Sequence, residues 1–150
     1  MGYVLDPGKQ LQGEVRRVAA ERLDGFQVDT GDEKAVAQAL QLTTGRFAAP
    51  CILINAVGGN LGKGAFIDTD ITQFEEILRL NLLAGLVVPT KVVAAYWIEK
   101  KIRGSIINLT SMTSYMPLSG VWGYDAAKAG VLNLTQATAN AFARHGIRVN

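Results

Sequence analysis

Short uninterrupted apolar runs alternate along this chain with longer stretches in which apolar residues recur every three or four positions. That is the pattern of strands and helices following one another. Tyr3-Val-Leu5 reads as a short strand ending at Asp6, with a helix from about Lys9 to Leu23 after it. Phe26-Gln-Val28 reads as a second strand, ending at Asp29, and the next helix begins near Asp32, whose carboxylate suits an N-terminal cap. Cys51-Ile-Leu-Ile-Asn55 shows no polar alternation, the pattern expected of a strand buried on both faces. Glycines 58, 59, 62 and 64 mark a loop, and Asp70-Ile-Thr-Gln73 has the form of a capping box. The helix it opens carries Phe74, Ile77, Leu78 and Leu82 on one stripe. A helical pattern continues towards Lys101, although Pro89 predicts a break or restart near Val88. Ser105-Ile-Ile-Asn-Leu109 reads as the next buried strand, followed by a long loop and a helix from about Tyr124 to Arg144. Gly146 stops that helix, and Ile147-Arg-Val-Asn150 begins another strand. This alternation predicts a single α/β domain, a doubly wound parallel sheet with right-handed crossovers.

Composition narrows the function without defining it. In 150 residues, 49% are apolar, ample for one core, and the formal charge is only +2. The basic clusters Lys100, Lys101, Arg103 and Arg16, Arg17 have no interleaved aromatics, so they read as solvated helix ends and nucleic acid is excluded as a partner. One cysteine, Cys51, precludes an internal disulfide and suits a reducing compartment; within its apolar run it reads as a small core residue. With no leader-like N-terminus and no run long and uncharged enough to span a bilayer, the expected location is the cytoplasm, away from membranes. One Cys and one His, His145, cannot build a zinc site, and neither a serine-hydrolase partner set nor Gly-x-Ser-x-Gly is present.

The chemistry concentrates in Tyr124-Asp-Ala-Ala-Lys128. One helical turn separates phenol from ammonium and places them on the same helix face, where the positive charge favours phenolate. Such a pair suits proton transfer to or from an alcohol or carbonyl. In a parallel sheet, ligands gather at the carboxyl ends of the strands, and Asp6, Asp29, Asn55 and Ser111 all fall at or just after such ends. Asp6 there can accept from ribose hydroxyls or be a turn residue before Pro7-Gly8. Asp29 suits an adenine-side contact or a turn at Thr30-Gly31. Asn55-Ala-Val-Gly-Gly-Asn60 lets backbone approach a ligand closely. Asn81 is a polar residue on an apolar stripe, so its amide must find partners there. Ser111 shares its loop with Thr110, Thr113 and Ser114, and hydroxyl identity does not separate them.

Asn55-x-x-Gly58 after a buried strand, Asn81 in mid-helix, Ile107-Asn-Leu-Thr-Ser111, Tyr124-x-x-x-Lys128 and Gly146-Ile-Arg-Val-Asn150 together resemble the short-chain dehydrogenase/reductase family, over nearly the whole chain. The resemblance implies a Rossmann-like fold and an NAD(P)-dependent oxidoreductase acting on a small alcohol or ketone, as a homodimer or homotetramer. By the same resemblance, Tyr124 is the acid/base, Lys128 its pKa modulator and ribose ligand, Ser111 the donor to the substrate oxygen, and Asn81 the holder of a helix kink and a relay water. Tyr115 is excluded as the catalytic tyrosine, because Ser119 stands where the lysine is needed. Asp29 and Thr30 match the adenine-contacting segment, Asn55, Ala56 and Gly58 the cofactor-side loop, and Asp6 the acid that favours NAD over NADP. The family's Asn-Asn-Ala-Gly is Asn55-Ala-Val-Gly58 here, and no Gly-rich loop precedes Asp6 to hold a pyrophosphate. The expectation is therefore an incomplete domain, lacking the first βα unit and the last strands: an internal portion of a longer enzyme, or a truncated relative that works only through subunit contacts. Ile54 to Asn60, Gly104 to Met112 and Asn133 to Gln136 further resemble the branch that interconverts D-mannonate and D-fructuronate, which implies a sugar-acid substrate with Asn60 and Lys63 near its carboxylate.

Overall fold

The computed structural model describes residue 25 and residues 27–150. Helix α1, Glu33–Arg46, starts where Asp32 accepts from the Lys34 and Ala35 N–H groups, satisfying two donors that have no partner within the helix. Strand β1 is Ile52–Asn55. Helix α2, Ile71–Leu78, is capped by Asp70 through the Thr72 and Gln73 N–H groups. It runs into a π-helical stretch, Arg79–Val87, and then into α3, Val88–Lys100. Strand β2, Ser105–Asn108, leads through a 3-10 turn at Met112–Ser114 to helix α4, Trp122–Phe142. Gly146, at φ +70°, ends the helical region and admits β3, Arg148–Val149. The strands lie in the order β1-β2-β3, all parallel, with Ile52 opposite Ser105, Leu53 opposite Ile106 and Ile106 opposite Val149. The fold is thus α/β with a parallel, Rossmann-like sheet, incomplete at three strands among the described residues.

The pleat turns Leu53, Ile106 and Val149 to one face. There they pack with Val93, Trp97 and Ile147, helped by Leu40, Tyr96 and Phe142. Trp97 is wholly buried, and its indole N–H donates to the Pro50 carbonyl at 2.6 Å, so the large ring carries no unpaired donor. Gly104 is required beneath it, since a Cβ at that position would overlap the Trp97 ring.

Four expectations need correction. First, β1 and β2 are not buried on both faces: Ile52 and Ile54 are 58% and 59% exposed, Ile107 and Leu109 are exposed, and Cys51 is exposed rather than a core residue. The apolar run is real, but among the described residues only the face carrying Leu53 and Ile106 packs into a core. Second, of the two alternatives at Pro89 the break does not occur, while the restart does: α geometry resumes at Val88 with Pro89 in its first turn. The π stretch before it replaces the tight α ladder, the Val88 N–H reaching back to the Leu83 carbonyl, and helix runs without interruption from Ile71 to Lys100. Third, that continuous helix is long and apolar enough to cross a membrane by length and composition, against the expectation that no run is; half of its most apolar window is buried within the protein, as in a core helix. Fourth, Gln27 and Val28 form no strand, and Phe26 lies outside the described residues, as do the strand ending at Asp6 and the helix Lys9 to Leu23.

Candidate active site

Under the carboxyl ends of β1 and β2 runs a buried chain of four polar side chains. The Asn55 amide nitrogen donates to Thr90 Oγ1 at 2.9 Å and to Asn108 Oδ1 at 2.8 Å; the Asn108 amide donates to Thr135 Oγ1, and that hydroxyl donates to the Val131 carbonyl. One line of hydrogen bonds thereby joins β1, β2, α3 and α4, and fixes the rim from which the loops rise. Both Asn55 amide hydrogens are spent in it.

Above this floor the glycine loop lies against the π stretch. Asn81, 1% exposed, accepts from the Gly59 N–H at 3.0 Å and donates to the Gly59 carbonyl at 2.7 Å and the Ile77 carbonyl at 2.9 Å. Its amide is fully engaged, as its place on the apolar stripe requires. Gly85 admits the loop, because a Cβ there would stand 2.6 Å from the Val57 carbonyl oxygen. Gly58 is an equally close approach, where a Cβ would lie 2.6 Å from Asn81 Oδ1 and 3.3 Å from Lys128 Nζ.

Tyr124 and Lys128 sit in the first two turns of α4 on one face, as their spacing predicts. The ammonium lies 5.7 Å from the centre of the Tyr124 ring and donates to the Leu109 carbonyl at 2.9 Å. Lys128 is 6% exposed, and burial pushes its pKa below the usual 10.5. The structure separates three of the four clustered hydroxyls that sequence could not. Ser111 caps the 3-10 turn by accepting from the Thr113 N–H, which leaves its own O–H to donate elsewhere, whereas Ser114 donates to the Lys128 main-chain carbonyl at 2.8 Å. Thr113 Oγ1 is buried with no partner. Tyr115 is 70% exposed, and Ser119 stands on the same loop.

On the other side of the rim, Thr30, Asn55 and Ala56 line a cleft of about 300 Å³ walled by Val28, Leu40 and Pro89. Asp29 Oδ1 accepts from the Gly31 N–H at 2.9 Å, the turn geometry that is one of its two readings. Thr30 Oγ1 is buried and unpartnered, a polar atom in a mostly apolar cleft. A small, mostly apolar cleft with a buried hydroxyl suits the adenosine end of a dinucleotide. Asp6 lies outside the described residues, and no pyrophosphate-binding glycine loop occurs among them. Nor do the described residues contain a cluster of metal-ligating side chains. Thr90, Asn108, Thr135 and Gly85 were not picked out from sequence. A signal existed for Asn108, a polar residue on the core-facing pleat of an apolar strand, but the other three are ordinary helix residues until the loop and sheet are placed against them.

The sequence profile of the family described as short chain dehydrogenase matches residues 1–150. The zerumbone synthase of Zingiber zerumbet is 32% identical over 147 residues, 93% of this chain and 54% of that protein. Sorbitol-6-phosphate 2-dehydrogenase from Erwinia amylovora superposes with a TM-score of 0.81 at 29% identity, over 90% of this chain and 52% of that one. A Haemophilus influenza protein assigned as a D-mannonate oxidoreductase, with bound NAD, gives 0.77 at 28% identity, over 85% of this chain and 50% of that one. Solved neighbours hold NADH, NADP or NAD. The chain spans about half the length of the curated relatives it matches.

Proposed function

The chain belongs to the short-chain dehydrogenase family, and from that premise we propose that it is a nicotinamide-dependent oxidoreductase interconverting a secondary alcohol and a ketone. The observation that carries the reading is the buried Lys128 ammonium, held on the Leu109 carbonyl and over the Tyr124 ring, on the segment that also bears Ser111. When bound, the nicotinamide would supply the partner for hydride transfer, and Thr30, Ala56, Gly58 and Lys128 are the residues that would hold the cofactor. In reduction, Tyr124 gives its phenolic proton to the substrate oxygen; in oxidation the phenolate takes that proton back. Ser111 donates its free O–H to the same oxygen and so fixes the carbonyl. Lys128 places positive charge beside the phenol, and the cost of burying that charge is part of what makes the site responsive to it. With both amide hydrogens committed, Asn81 serves by holding Gly59, and with it the loop that faces Lys128.

A sugar acid such as D-mannonate is the proposed substrate class, and NAD the preferred cofactor over NADP. The Asn60 to Lys63 loop supports this: Lys63 is exposed and rests its stem against Gly120, while the Asn60 amide donates to the Gly62 carbonyl, holding the loop in a tight turn. The NAD-bound neighbour assigned to D-mannonate supports it too. We also propose a cytoplasmic homodimer or homotetramer. Of the small residues on α4, Ala127 and Gly130 pack within the chain, so Ala126 and Ala137 are the exposed ones left for helix contact with a partner. The test is Tyr124→Phe with D-mannonate and NAD. Turnover should fall by about a thousandfold or more while NADH affinity stays within about twofold. Near-normal turnover in the variant would refute the assignment.

A further inference from the structure

Lys128 holds the segment that carries Ser111 from both ends. Its ammonium grips the Leu109 carbonyl at 2.9 Å, and its main-chain carbonyl accepts the Ser114 hydroxyl at 2.8 Å. Ser111 lies between these two anchors, capping the 3-10 turn that ends at Ser114. The first anchor is a charge-assisted bond from a buried group. The second is a neutral bond from a part-buried side chain; it ties the last residue of the turn to the main chain of α4, which the turn also packs against and to which the Leu118 N–H is bonded through the Asp125 carboxylate. Without it, the turn still packs against α4 through Thr113 and is held further on by the Leu118 bond to Asp125, but the hydrogen bond that fixes the end of the turn Ser111 caps is lost.

We propose that Ser114 is a positioning residue of the active site, acting through Ser111 by fixing its distance to the Tyr124 and Lys128 face of α4. The inference rests on the oxidoreductase reading for its catalytic consequence, but its structural part stands independently. A displacement of the donor by a fraction of an ångström to about 1 Å is costly in turnover, because the substrate oxygen must meet Ser111 and Tyr124 at once. The effect falls on kcat rather than on cofactor binding, since neither Ser114 nor Ser111 lines the Thr30 cleft.

The experiment compares Ser114→Ala, Ser114→Thr and Ser111→Ala, with the Ser111→Ala/Ser114→Ala double variant. Ser114→Ala should lower kcat about tenfold with the KM for NAD unchanged, Ser114→Thr should recover most of it, and the double variant should be no slower than Ser111→Ala alone. A second readout needs no turnover: the Thr113 amide, which donates to Ser111 Oγ, should exchange with deuterium about tenfold faster in Ser114→Ala than in the parent chain and regain protection in Ser114→Thr. Additive losses in the double variant, or unchanged Thr113 exchange in Ser114→Ala, would overturn the proposal. If the parent chain has no activity with any alcohol, the functional reading fails while Thr113 exchange still decides the role of Ser114.

Discussion

Replacing Gly58 by alanine isolates the close approach of the glycine loop to Asn81. Gly58 is not in the left-handed region, so backbone strain does not contribute and the cost is steric. The new methyl would lie 2.6 Å from Asn81 Oδ1, where ordinary contact is about 3.5 Å, so the amide or the loop must move by about 1 Å. Asn81 has little room to yield, being 1% exposed and bonded to Ile77 and twice to Gly59. The weakest of these, the 3.0 Å bond from the Gly59 N–H, would stretch beyond hydrogen-bond range, and losing it in a part-buried setting costs about 1–3 kcal/mol. Reduced freedom of the unfolded chain returns about 0.4–1 kcal/mol. The net expectation is about 1–2 kcal/mol, read as a urea midpoint lowered by about 0.5–1 M at unchanged slope. In an Asn81→Ala background the obstructing oxygen is absent, and the same Gly58→Ala change should cost less than about 0.5 kcal/mol. Equal losses in the two backgrounds, or none in the parent, would refute the packing argument.

Two further outcomes follow from buried groups. Burial holds Lys128 below 10.5, so between its lowered folded value and 10.5 the unfolded chain binds more protons, and stability must rise with pH across that window and stay level below it. Urea midpoints measured up to pH 10 should show this rise in the parent chain and a smaller one in Lys128→Met; identical profiles would contradict it. Gly104→Ala drives a methyl into the Trp97 ring and should cost about 1–3 kcal/mol, with a changed Trp97 environment in near-ultraviolet circular dichroism; an unchanged midpoint would show that the ring can move aside.

The sequence by itself determined what depends on near neighbours. The helix starts at Asp32 and Asp70 are local bonds between a carboxylate and the next few N–H groups, and the structure has them as read. Tyr124 and Lys128 share a face because helix period alone puts them there. Asn81 was conspicuous because a polar residue on an apolar stripe must be satisfied wherever it ends up. Tertiary structure decided the rest. The composition of Ile52-Leu-Ile54 states that both faces of β1 are apolar, but which face is covered depends on helices elsewhere in the chain. The passage of a helix through Pro89 depends on a π stretch that also seats Val57 on Gly85. Among Thr110, Ser111, Thr113 and Ser114, only the placement of α4 shows that Ser114 is spent on Lys128 while Ser111 keeps a free donor. Local bonds are encoded within a few residues, whereas burial and hydroxyl roles are set by partners that residue spacing does not reveal.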